Sequence, residues 1–112
     1  MSLGTLLALF WSMQVVAYLT FKTGSQSASQ RSARWVTSFI AGNAVGAASI
    51  IFLMRIFAKM PENPNLALML TSVGAAVGCQ VAMILVYRSR LSIIQWAGIA
   101  LALAGTAVAL LG

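Results

Sequence analysis

Residues 3–22 read LGTLLALFWSMQVVAYLTFK. No charged side chain stands between Leu3 and Phe21, and the run stops at Lys22. At 1.5 Å per residue those 19 positions span about 29 Å, close to the hydrocarbon thickness of a bilayer. No basic region precedes the run and no A-x-A site follows it, so it reads as a membrane helix and not as a signal peptide. One residue resists that reading. The Gln14 amide costs free energy in an apolar interior unless something hydrogen-bonds it.

Three further runs repeat the pattern, at about Trp35–Met54, Leu66–Tyr87 and Leu91–Leu111, and none holds an acidic or basic residue. The 112-residue chain is 61% hydrophobic and 7% charged, with mean hydropathy +0.95. Soluble domains are about 45–50% apolar and about 25% charged. The solvent of this chain is therefore lipid. Barrel strands alternate polar and apolar over about ten residues, whereas these runs are longer and apolar throughout. The expected fold is all-α: a single domain over residues 1–112, with four transmembrane helices in a compact bundle. The connections are short: KTGSQSASQRSAR (22–34), AKMPENPN (58–65) and RSR (88–90). In the second, Asn63-Pro64 reads as an N-cap followed by proline at the first helical position.

The net charge of +6 comes from seven Lys and Arg residues, all in loops or at helix ends. That is how membrane flanks meet anionic head groups, and it argues against nucleic acid as a partner. Lys22, Arg31, Arg34, Arg88 and Arg90 lie on the side of loops 1 and 3; Arg55 and Lys59 lie on the other. The positive-inside tendency then places loops 1 and 3 in the cytoplasm and both termini outside. There is no His, Glu62 is the one carboxylate side chain and Cys79 stands alone. The sequence offers no metal site, no paired-carboxylate acid/base site and no disulfide, so no cofactor and no enzyme activity are expected.

Small residues recur at helical spacing: Gly42 and Gly46; Gly74 and Gly78; Gly98, Ala102 and Gly105. Small side chains let helix backbones approach in lipid. These positions are expected to pack helices within the chain or between subunits, helix 4 being the best candidate for an oligomer interface. Two more amides, Asn43 and Gln80, accompany Gln14. Counted from the helix centres, all three fall in one layer roughly 3–6 Å off the midplane, toward loops 1 and 3. Trp11 and Tyr18 share a helix face with Gln14 at spacings of three and four. Either the amides bond one another as helix glue, or Gln14, Trp11, Tyr18, Asn43 and Gln80 line a substrate path.

The closing stretch YRSRLSIIQWAGIALALAGTAVALLG (87–112) resembles the last helical hairpin of the drug/metabolite transporter superfamily, through Arg90-Leu91, Gln95, Gly98 and Gly105. LFWSMQVVAYLTFK is similar to that superfamily's first helix, which ends in a lysine, here Lys22. Length and layout resemble its four-helix branch, the small multidrug resistance proteins and the aminoarabinose-lipid flippase subunits. The resemblance implies a bacterial inner-membrane transporter, a homo- or heterodimer working by alternating access. It also implies a departure. Small multidrug resistance proteins couple to protons through a helix-1 glutamate, and this chain has Gln14 there. Their aromatic helix-3 positions fall near Leu68 and Thr71. The flippase subunits do without the glutamate and carry a longer basic first loop, where Arg31 and Arg34 suit phosphate head groups. The expected function is movement of a small or lipid-linked solute without proton coupling by the chain's own carboxylate. Two alternatives stay open: a cation exporter subunit paired with a glutamate-bearing partner, and a non-transporting subunit of a membrane complex.

Overall fold

A computed structural model describes residues 2–26 and 32–112. Four helices follow in order: α1 (Leu3–Ser25), α2 (Ala33–Lys59), α3 (Pro64–Tyr87) and α4 (Ile93–Leu111). All four are long and apolar enough to cross a membrane, and no strand occurs among the described residues. The chain is a multi-pass membrane protein built as a four-helix bundle.

The helices outrun or fall short of their apolar runs because capping, not hydropathy, sets their ends. Ser2 Oγ accepts from the Thr5 N–H at 3.2 Å, and Ser32 Oγ accepts from the Trp35 N–H at 3.1 Å. Each satisfies an N–H that the first turn leaves free. α4 begins at Ile93 and not at Leu91 because Ser92 and Gln95 form a capping box. The Gln95 N–H donates to Ser92 Oγ at 3.2 Å and the Ser92 N–H donates to Gln95 Oε1 at 2.8 Å. α1 continues through the polar residues Lys22–Ser25. Pro64 does open α3, but Asn63 makes no side-chain cap bond; its carbonyl accepts from Ala67 N–H at 3.2 Å. α3 closes on Arg88, whose φ of 54° is left-handed, a conformation more usual for glycine.

In lipid, helix association rests on close packing, and here α1 is the hub. Against α2, Gly24 receives Ser38 and Gly42 receives the Phe21 ring. Against α3, Gly74 receives the Trp11 indole, and a Cβ at Gly78 would lie 3.2 Å from Val15 Cγ2. α4 packs on α3 alone. The interior is densest where the start of α1, the end of α2 and the start of α3 meet, around Leu6, Leu7, Phe10, Ile56 and Ala67. At the opposite end the Thr23 and Tyr87 hydroxyls bond each other, and Lys22 Nζ sits 5.8 Å above the Tyr87 ring. α1 is thus tied to its neighbours along its length and at both ends.

Candidate functional site

Beside these contacts a gap remains. A half-open cleft of about 540 Å³ lies among α1, α2 and α3. Its floor is aromatic and aliphatic: Phe10, Leu53, Phe57 and Leu68, three of which belong to or pack on the buried cluster. Its upper wall carries Gln14, Tyr18, Thr71, Ser72, Cys79 and Gln80. A volume in this range suits a small organic molecule or part of an acyl chain, and an apolar pocket with a few polar groups is the usual form of a ligand site. Among the described residues no Asp, Glu, Lys, Arg or His lines it.

A second cavity, about 390 Å³, lies between α1 and α2 and holds Gln14, Tyr18 and Asn43. A third, about 370 Å³, lies between α3 and α4 and holds Gln80 and Gln95. Gln14 therefore borders two cavities, sharing one with Gln80 and the other with Asn43. With the observed bounds Gln14 is at the middle of α1. Asn43 and Gln80 stand away from the middles of their helices, toward loops 1 and 3, so the amide layer is up to about 7 Å deep.

The amides do not bond one another. Gln14 Nε2 donates to Ser49 Oγ at 2.8 Å, and Ser49 Oγ donates to the Gly46 carbonyl at 2.6 Å. Asn43 Nδ2 turns back onto its own helix, donating to the Phe39 carbonyl at 2.7 Å. Gln80 has no hydrogen-bond partner among the described residues. The helix-glue reading is corrected accordingly: one of the three amides crosses between helices, and it crosses to a serine.

Trp11 is corrected as well. It does not line the cleft. Its Nε1 donates to the Leu70 carbonyl at 3.1 Å, reached across the notch at Gly74. Trp11 is a packing residue that satisfies its N–H on the α3 backbone. Tyr18 lines both amide cavities as expected. Leu68 and Thr71, the positions matched to family aromatics, do line the cleft, while its aromatic surface comes from Phe10, Tyr18 and Phe57 instead. Arg34 is exposed in the first turn of α2; Arg31 lies outside the described residues.

Of the small residues, Gly42, Gly74 and Gly78 are used within the chain, but Gly46, Gly98 and Gly105 have nothing within 4 Å of a Cβ position. Ser49 went unnoticed in the sequence. It is fully buried, yet a serine among GAASIIF (46–52) looks like one more small residue, and its partner lies 35 positions away. Among the described residues no group of His, Cys, Asp or Glu could hold a metal ion. Compared with family models, with curated proteins and with solved structures, the chain matches none.

Proposed function

We propose that the chain is a small membrane transporter or flippase component. It moves a small or lipid-linked solute by alternating access around the α1–α2–α3 cleft, without proton coupling through a carboxylate of its own. The observation that carries this reading is a cleft at membrane depth whose polar wall is built of amides and hydroxyls. Hydrocarbon penalises such groups, so polar side chains that border open space in a bundle mark a path for something polar. The basic ends of loops 1 and 3 face the cytoplasm in this reading.

Proteoliposome flux of a fluorescent short-chain lipid tests it. Gln14→Ala should reduce flux to background while the helical content and oligomeric state persist, because the lost bond to Ser49 contributes only about 0.6 kcal/mol. Unchanged flux in Gln14→Ala would sink the proposal.

The working unit is a homo- or heterodimer joined through α4. Supporting this, among the described residues α4 packs on α3 alone, and Gly98 and Gly105 have nothing within 4 Å of a Cβ position. Gly105→Ile should therefore leave the unfolding of the isolated chain within about 0.5 kcal/mol of the parent and weaken cross-linking between chains. Equal cross-linking in parent and variant would place the interface elsewhere.

A further inference from the structure

Ser49 has one hydroxyl proton to give. Its Oγ lies 2.6 Å from the Gly46 carbonyl, which can only accept, so the proton goes there. The same Oγ is 2.8 Å from the Gln14 amide. With its proton committed, the serine oxygen can only accept, so the amide end that meets it must be the NH2. Oxygen and nitrogen of an amide are ordinarily exchangeable choices; here the count of protons removes the choice. Gln14 is held with Nε2 toward α2, leaving Oε1 without a partner among the described residues and open to the surroundings. Thr71 repeats the pattern on the facing helix. Its hydroxyl proton is shared between the Ala67 and Leu68 carbonyls, at 2.9 and 3.0 Å, so its oxygen can only accept from a ligand. Gln14 Oε1 and Thr71 Oγ1 are thus acceptors whose places the fold sets, whereas the donor groups of Tyr18 and Gln80, which also line the cleft, have no fixed partner among the described residues.

We propose that the cleft selects uncharged amphiphiles that present an O–H or N–H donor to Gln14 Oε1, and that Ser49 is the positioning residue that sets this preference. The inference rests on the cleft being a solute site. The ligand is uncharged because no acidic or basic side chain lines the cleft.

Two isomers separate donor from acceptor: 1-decanol, which donates and accepts, and methyl nonyl ether, which only accepts. Binding is read per mole fraction in bicelles, from the backbone amide shifts of Ala75, Ala76 and Cys79 along the cleft, with the carbon-13 shift of the Gln14 side-chain carbonyl added where residue 14 is glutamine. In the parent chain decanol should bind about three- to tenfold more tightly than the ether, the range one hydrogen bond gives. The carbonyl resonance should move while the Gln14 NH2 protons stay inequivalent and unshifted. In Ser49→Ala the amide is free to turn either end to the cleft, and the ratio should fall to about one. Gln14→Met, which removes both ends, should also give about one and serves if Ser49→Ala fails to fold. Equal binding of the isomers by the parent chain would overturn the proposal. So would a preserved ratio in Ser49→Ala, or tighter binding of decyltrimethylammonium than of decanol. Absent flux with the ratio intact would sink the transport reading and leave this one standing.

Discussion

Gly74→Ala should lower the stability of the chain by about 2–4 kcal/mol, measured by unfolding in mixed micelles. A Cβ at residue 74 would fall inside the Trp11 indole. The ring cannot retreat without losing the bond from Nε1 to the Leu70 carbonyl, 3.1 Å long in the parent. Overpacking costs about 1–3 kcal/mol, and the lost interhelical bond adds about 0.6 kcal/mol. The effect should be strongly coupled to its partner. In a Trp11→Leu background, Gly74→Ala should cost little, because the smaller side chain leaves room. Gly78→Ala is the internal comparison: with Val15 Cγ2 at 3.2 Å, a small shift of one methyl relieves it, and the loss should stay under about 1 kcal/mol. Additive effects of Gly74→Ala and Trp11→Leu would mean that the α1–α3 seam is not closed by this contact.

Gln14→Glu should turn a pH-indifferent cleft into a pH-dependent cation site. The parent chain has no titratable carboxylate in any helix, so binding of decyltrimethylammonium should be weak and flat between about pH 5 and pH 8. A glutamate at 14 changes both bonding and charge. Its carboxylate only accepts, so with the Ser49 proton held by the Gly46 carbonyl the ionised side chain loses its tie to α2 and is left to the cleft. In the ionised form it attracts a cation; in the protonated form it does not. Cation binding by the variant should therefore rise with pH, by at least about tenfold across its titration, as a partly buried opposite charge allows. Tight, pH-independent cation binding by the parent chain would contradict the whole reading of the cleft as a neutral site.

What the sequence discloses depends on how local the physics is. The four spans were legible because hydrocarbon demands an unbroken apolar run, and the run is written in consecutive residues. Their ends were less so. Ser92 and Gln95 move the start of α4 two residues inward through a capping box that hydropathy does not see. Gln14, Tyr18 and Gln80, which line the cleft, stand out in the sequence because an amide or phenol in a membrane helix is expensive wherever it points. Trp11 was assigned to the wrong role, since sharing a helix face with Gln14 does not say which neighbour that face meets. Ser49 was illegible for a related reason: the pairing of residues 14 and 49 is a property of how α1 lies on α2. Deep in the bundle it decides which end of Gln14 looks out, and nothing near either residue announces it.

The dependence of α2 and α3 on α1 also bears on how the chain is made. Synthesis runs from the N-terminus, so the helix that carries Phe10, Trp11, Val15 and Phe21 is made before the α2 and α3 surfaces that receive those side chains. The glycine notches for Trp11, Val15 and Phe21 arrive on the next two helices. By the time Tyr87 leaves the ribosome, every close helix contact named for α1 can form, and the Thr23–Tyr87 tie can close. Of the four helices α4 is made last. Its departure or its exchange onto another chain would therefore leave the cleft's own walls standing.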